Sequence, residues 1–139
     1  MNPIAIFWPV VAQVLLVFLV YFLLSKRRFA AFRSGTFKAG EFRERKSEPA
    51  ESTTTYNNLV NQFELPVLLY VVCISLFVTN GVSYVTVLLA WIFVISRYAH
   101  AFVHVTINRL RYRRPLFVVG FLSLGLLWVW FALHLLGMV

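Results

Sequence analysis

Four long apolar segments are separated by polar connections along the chain. A helix that crosses the hydrocarbon core of a bilayer needs roughly 20 apolar residues. The pattern predicts spans over residues 4–24, 57–79, 82–108 and 115–136. An Asn80-Gly81 turn separates the second and third spans, and Pro115 is placed to open the fourth. We therefore expect one domain, residues 1–139, that folds as an all-α bundle of four transmembrane helices.

The composition agrees with a membrane protein and excludes a soluble domain. Hydrophobic residues make up 60% of the chain, charged residues only 13%, and the mean hydropathy is +0.79, whereas soluble domains are about one-quarter charged. The net charge of +8 would suit nucleic acid, but the sequence has no basic-aromatic module and no zinc pattern. The lone Cys73 lies among apolar neighbours and is expected to be inert. We expect a lipid bilayer as partner and no nucleic acid.

The basic residues predict the orientation of the bundle. Twelve of the 13 Lys and Arg residues lie in two connections, the loop 25–56 and the arginine cluster 109–114. By the positive-inside rule, both connections are cytoplasmic and both termini lie on the opposite side. We expect an integral membrane protein, of a bacterial-type inner membrane.

Polar residues inside the spans form two stripes. Ionisable groups within a membrane are costly unless they are paired or hydrated, so each one indicates a site. Asn57, Asn61 and Glu64 share one helical face of the second span. A stripe at helical spacing also follows the third span: Arg97, His100, His104, Asn108 and Arg111. We expect the stripes to face each other, with a Glu64 to Arg97 ion pair at the base of a polar cleft open to the cytoplasm.

This cleft could serve three purposes. His100, His104 and Glu64 could hold a metal, although the adjacent arginines repel cations and no second-shell carboxylate is evident, so no metal is expected. The arginines could bind the carboxylates of a thiol cofactor and stabilise its thiolate. The polar groups could also simply lock helices together, which is the role expected of the isolated Gln13 and His134.

The pattern resembles the MAPEG family, the membrane-associated proteins in eicosanoid and glutathione metabolism. The second span carries Asn-x-x-Glu followed shortly by Pro, at residues 61–66, and the third carries Arg-x-x-His with a further His four residues on. The matching residues are Asn61, Glu64, Pro66, Arg97, His100, His104, Arg113, Phe117 and Gly120. The resemblance implies a homotrimer of four-helix bundles with a ligand cleft between subunits, near the cytoplasmic face.

The resemblance also implies roles for individual residues. Asn61 and Glu64 would bind glutathione, Arg97 would support Glu64, and His100 and His104 would contact the peptide. Arg113 would be the catalytic residue that stabilises the thiolate, with Arg109 and Arg111 as competing candidates. The implied activity is a glutathione-dependent transferase or peroxidase acting on lipophilic electrophiles. The alternative is a non-catalytic lipid-binding protein or an accessory subunit of a larger membrane complex.

One departure from the family pattern bears on the cofactor. The glutathione enzymes of the family usually carry an arginine four residues before Asn61, and this chain has Asn57 there. A neutral amide lacks the charge-assisted contact to a cofactor carboxylate, which is worth about 1.5 to 3 kcal/mol, or about 10- to 100-fold in affinity.

Overall fold

The described part of the protein, residues 1–35, 40 and 48–139 of a computed structural model, contains helices and turns and no strand. A short 3-10 turn, Pro3–Ile6, leads into the first helix. The helices are α1 Phe7–Arg33, α2 Ala50–Asn61, α3 Leu65–Val78, α4 Tyr84–Val105 and α5 Leu110–Leu135. Four helical segments are long and apolar enough to cross a membrane, α2 and α3 together forming one of them. The prediction of an all-α, four-span membrane protein is confirmed.

The helices extend further than the apolar segments. α1 continues to Arg33, nine residues past the predicted end of the span at residue 24, and α2 begins at Ala50 inside the predicted loop. Hydropathy marks where a segment stops being apolar, whereas Lys and Arg are good helix formers and prolong the helix beyond that point. Residues 36–39 and 41–47 of the first connection lie outside the described part.

Pro115 does not open the fourth helix. α5 begins at Leu110, so Pro115 lies within its second turn. A proline there lacks the N–H that would bond to the carbonyl of residue 111, so the helix forgoes one hydrogen bond near its end. α4, which forms the third span, ends at Val105, three residues before the predicted end at residue 108.

The predicted turn at Asn80 and Gly81 is present. Asn80 has a φ of +57°, in the left-handed region that asparagine tolerates, and the N–H of Gly81 donates to the carbonyl of Leu76 at 2.8 Å. The ring of His134 on α5 lies against this turn, with Nε2 3.1 Å from the carbonyl oxygen of Thr79. His134 thus makes the contact between helices that was expected of a lone polar residue in an apolar span.

The half of the bundle near this turn has a largely apolar core, and we call it the apolar half. Its buried residues are Ile6, Leu69, Val72, Cys73, Leu76, Ala90, Phe93, Val94, Leu124 and Leu127. α4 and α5 make the most extensive contact in the bundle. They approach so closely that a Cβ on Gly120 would lie 2.6 Å from Oγ of Ser96. Close approach at small residues is the usual means of helix packing in membranes.

The opposite half has a mixed core, which we call the polar half. Its buried apolar residues, Leu16, Val20, Leu24, Leu59 and Ala101, are fewer, and buried polar side chains from α1, α2 and α4 accompany them. At its outer limit, Arg27 donates to Oγ1 of Thr54 at 3.1 Å, to Oγ1 of Thr55 at 2.7 Å and to the carbonyl of Val105 at 2.6 Å. Arg27 therefore ties the ends of α1, α2 and α4 together. We call this limit the basic end.

A carboxylate also closes the basic end. Arg28 forms a two-pronged ion pair with Glu48, at 2.9 and 2.7 Å, and Oγ of Ser52 donates to the same carboxylate at 2.6 Å. Burial of Glu48 opposes its ionisation, but the hydrogen bonds from Arg28 and Ser52 outweigh burial and lower the pKa of this carboxyl below its ordinary value. The pair joins α1 to the residues that lead into α2.

Candidate functional site

A break between α2 and α3 changes the expected geometry of the second span. Residues 62–64 are not part of either helix, and Glu64 has φ −97° and ψ −104°. Pro66 follows at once. It has no N–H to bond to the carbonyl four residues earlier, and its ring would clash with that carbonyl in a continuous helix. Asn57 and Asn61 therefore share a helix, but Glu64 does not lie on their face.

The predicted ion pair between Glu64 and Arg97 is wrong. Among the described residues the ion pair within 4 Å is Arg28 with Glu48. Glu64 is exposed at the break, while Arg97 is 1% exposed and donates from Nη2 to the backbone carbonyl of Asn61 at 2.8 Å. The break leaves this carbonyl at the end of α2 without a partner in its own helix, so the guanidinium binds the backbone there. Glu64 is still near enough to act on Arg97 electrostatically.

The interior of the polar half contains a row of side-chain amides. Nε2 of Gln13 donates to Oε1 of Gln62 at 2.9 Å, Nε2 of Gln62 donates to Oδ1 of Asn58 at 3.0 Å, and Nδ2 of Asn58 lies 3.2 Å from Nδ1 of His104. We call Gln13, Gln62 and Asn58 the amide relay. The helix-to-helix hydrogen bond expected of Gln13 is confirmed, with Gln62 as its partner.

Asn58 and Gln62 were missed from the sequence. The predicted stripe named Asn57, yet Asn57 is exposed and its neighbour Asn58 is fully buried. A signal was available, because a single buried Gln13 in an otherwise apolar span requires a polar partner on another helix. Asn58 and Gln62 are four residues apart, which is the spacing that brings two side chains to the same side of a helical segment.

The stripe on the third span is divided between buried and exposed positions. Arg97, His100 and His104 are 1 to 3% exposed within a single chain, so no wide cleft opens onto them. Because α4 ends at Val105 and Asn108 has a φ of +49°, Asn108 and Arg111 leave the stripe and are exposed. The prediction of one continuous face lining an open cleft is therefore wrong.

The buried cations and histidines have unused hydrogen-bonding capacity. The rings of His100 and His104 meet edge to face with centroids 5.6 Å apart, and His100 lies 6.0 Å from the ring of Phe117. Within the described part of the chain, Nδ1 of His100 and Nε of Arg97 are buried without a hydrogen-bond partner. Such orphaned groups are uncommon in native proteins and indicate a missing partner.

Arg113 is the arginine of the basic cluster that acts on the histidines. It is half-buried, donates to Oδ1 of Asn108 at 2.8 Å, and exerts an electrostatic effect on both His100 and His104. Arg109 and Arg111 are exposed. The structure thus brings Arg97, His100, His104 and Arg113 into one electropositive cluster.

An apolar groove of about 750 Å³ lies at the bend between α4 and α5, and two of its lining residues are sequence neighbours of His104 and Arg113. Its lining residues are Val103, Ile107, Arg109, Tyr112, Pro115 and Leu116. The described residues hold no group of three or more His, Cys, Asp or Glu side chains arranged to bind a metal ion. This end of the bundle therefore contains both positive charge and an apolar groove.

Comparison with known proteins places this arrangement in a family. No curated protein and no solved structure gives a significant match to the chain. The MAPEG family model matches residues 6–133, which includes most of each of the four spans and every residue of the electropositive cluster. The chain belongs to the MAPEG family.

Proposed function

We propose that this protein binds glutathione at the basic end and uses its thiolate against a lipophilic electrophile. The observation that carries the proposal is the cluster of Arg97, His100, His104 and Arg113, on which Glu64 is the carboxylate that acts within the described part of the chain. An excess of positive charge beside the orphaned N–H of Arg97 favours an anionic ligand. Glutathione carries two carboxylates and a thiol, and the MAPEG family includes glutathione transferases and peroxidases.

The residues divide into binding and reacting groups. Asn61 and the exposed Glu64 would bind the peptide and the amine of glutathione, while Arg97 holds Asn61 in place through its backbone carbonyl. His100 and His104 would contact the peptide. Arg113 would stabilise the thiolate, because a guanidinium stays protonated and favours a neighbouring anion. In a conjugation, the thiolate sulfur forms a bond to an electrophilic carbon, and the electron pair of the broken bond departs with the leaving group.

The groove at the bend between α4 and α5 suits the second substrate. Val103, Ile107 and Leu116 give it an apolar lining, so a lipophilic molecule can enter it laterally from the bilayer. The concentration of basic residues supports a cytoplasmic location for this end of the bundle, with both termini opposite. A homotrimer would bring a second chain against the exposed Asn57 and Glu64 and complete the site between subunits.

A second candidate function is a non-catalytic lipid-binding or accessory role. Two observations favour it: Asn57 lacks the positive charge of the family's glutathione enzymes, and His104 is already engaged by Asn58 at 3.2 Å. In this case the polar half would stabilise the bundle, and the protein would serve a larger membrane complex.

Titration with glutathione separates the two functions. We expect isothermal titration of the purified protein to give a Kd in the micromolar to low millimolar range. Replacing Asn57 with Arg should strengthen binding about 10- to 100-fold, because it adds a charge-assisted contact. No heat at about 10 mM glutathione, in both the wild type and Asn57→Arg, would refute the proposal.

The thiolate provides the second measurement. Arg113→Ala should abolish the ultraviolet absorbance of the bound thiolate and leave the oligomer intact, while Arg114→Ala, at an exposed neighbouring position, should change neither. Loss of assembly in Arg113→Ala would indicate a structural role instead. Gentle extraction followed by mass analysis would favour the accessory function if one larger partner always accompanies the chain.

A further inference from the structure

The amide relay links α1 and α2 to His104 on α4. Gln13 lies on α1, Asn58 on α2, Gln62 directly after α2, and His104 on α4. Each of these side chains is at most 3% exposed, so water does not compete for their hydrogen bonds. The direction of every bond in the row can therefore be worked out from the contacts themselves.

A backbone carbonyl fixes the orientation of Gln62. The terminal nitrogen of its amide lies 3.3 Å from the backbone oxygen of Asn58, and a carbonyl oxygen can only accept. Turning the amide over would bring two oxygens together at this distance. The NH₂ group of Gln62 therefore faces Asn58, and its Oε1 faces Gln13, whose Nε2 must donate.

The orientation of Gln62 determines that of Asn58. The same NH₂ group of Gln62 donates to the amide of Asn58 at 3.0 Å, so the atom that receives it is Oδ1. The other end of the Asn58 amide is then an NH₂ group, and it lies 3.2 Å from Nδ1 of His104. Because an NH₂ group only donates, Nδ1 of His104 must accept and carries no proton.

We infer that the amide relay fixes His104 as the neutral tautomer with its proton on Nε2. Nε2 has no hydrogen-bond partner among the described residues, so it remains as a donor for an oxygen acceptor of a ligand, a carbonyl or a carboxylate. With Nδ1 occupied and Nε2 protonated, His104 has no lone pair to receive the proton of a thiol. Gln13, Gln62 and Asn58 are positioning residues for His104.

The identity of the ligand rests on the proposed function, whereas the tautomer does not. If the ligand is glutathione, His104 donates to a peptide or carboxylate oxygen. Stabilisation of the thiolate then falls to Arg113. The inference thus assigns His104 to recognition of the ligand and not to base catalysis.

Nitrogen NMR of the histidines tests the tautomer directly. The chain has three histidines, so protein labelled with ¹⁵N-histidine in lipid nanodiscs gives a spectrum that His104→Gln assigns by subtraction. We expect Nδ1 of His104 to resonate at the downfield position of an unprotonated ring nitrogen and Nε2 at the position of a protonated one. A protonated Nδ1, or averaging between the two tautomers, would overturn the inference.

A nearly isosteric substitution then reverses the last bond of the relay. Asn58→Asp puts a carboxylate oxygen where the NH₂ group stood, so Nδ1 of His104 should become protonated and its resonance should move upfield. Asn2→Asp is the matched control, because Asn2 is exposed at the opposite end of the bundle and outside the relay; the histidine spectrum should not change. An unchanged spectrum in folded Asn58→Asp would also overturn the inference. If this variant does not fold, the wild-type spectrum alone decides.

Glutathione titration separates this inference from the proposed function. Asn58→Asp should weaken glutathione binding about 3- to 10-fold, the loss expected for one hydrogen bond. If the wild type binds no glutathione but shows the expected tautomer, the proposed function fails and the relay stands. If glutathione binds but Nδ1 of His104 carries the proton, the inference about the relay is wrong and the proposed function stands.

Discussion

The two halves of the bundle are built by different interactions. In the apolar half, α4 and α5 approach closely at Gly120 and Ser96, and most of the buried side chains offer only van der Waals contact. In the polar half, hydrogen bonds join α1, α2 and α4, from Arg27 at the basic end to Gln13. Lipid tails are as apolar as the core, so contact in the apolar half depends on the fit of small residues. The polar half instead depends on which donor meets which acceptor.

This difference separates stability from function. Helices that no longer fit together in the apolar half cannot regain their contact by other means. Polar side chains can exchange hydrogen-bond partners, and hydrogen bonds within membranes average only about 0.6 kcal/mol. We therefore expect substitutions in the apolar half to affect the folded state most. Substitutions in the polar half should affect ligand binding more than stability.

The largest effect is expected at Gly120. Gly120→Leu places a side chain against Oγ of Ser96, where a Cβ alone would lie 2.6 Å away, so α4 and α5 must separate. Overpacking of this kind costs about 1 to 3 kcal/mol or more. Thermal unfolding in detergent should show a lower midpoint. Gly125→Leu is the control, since a Cβ there meets nothing within 4 Å; equal losses in both variants would contradict the role given to the close approach.

Arg97 should show the opposite behaviour. Arg97→Met removes a buried guanidinium, whose desolvation is costly, but it also leaves the carbonyl of Asn61 without its donor. These effects oppose each other, so we expect the free energy of unfolding to change by less than about 1 kcal/mol. Glutathione affinity should fall at least about tenfold, because Asn61 is no longer anchored and one positive charge is lost.

The control for Arg97 is Arg114→Met, which removes an exposed arginine. It should leave both the unfolding free energy and the glutathione affinity nearly unchanged. If Arg97→Met lowered stability by several kcal/mol without any change in affinity, Arg97 would belong with the structural residues, and the contrast between the two halves would fail.

The smallest effect concerns Glu48 at the basic end. The folded pKa of Glu48 lies below its ordinary value of 4.5. Its contribution to stability is therefore fully present above that value and is lost as the pH falls through the folded pKa. Glu48→Gln should destabilise the protein by up to about 1 kcal/mol at neutral pH, as partly exposed ion pairs do.

Unfolding of the wild type and Glu48→Gln across the acid range checks this sign. The difference between them should persist down to about pH 4.5 and then shrink. A double-mutant cycle with Arg28→Gln isolates the energy of the pair. A difference that grows on acidification would contradict the assignment.

The sequence alone predicts the spans, the turn at Asn80 and Gly81, and the family. Hydropathy is a property of short segments, and the bilayer selects for it directly, so neither the spans nor the concentration of charge at the connections depends on knowing the partners of each residue. The predicted helix ends were wrong for a related reason. The ends at Arg33 and Val105 depend on backbone geometry, which hydropathy does not describe.

The tertiary structure decided which polar groups meet. The break before Pro66 takes Glu64 off the face of Asn61. The packing of α2 turns Asn58 into the bundle and leaves Asn57, about 100° away around the helix axis, exposed. Bonds such as Gln13 to Gln62 and Arg97 to the carbonyl of Asn61 join residues 49 and 36 positions apart. Helical spacing relates residues within one helix only. The sequence by itself therefore determined that the chain crosses the membrane four times, and only the packing of the helices determined the partners of its buried polar side chains.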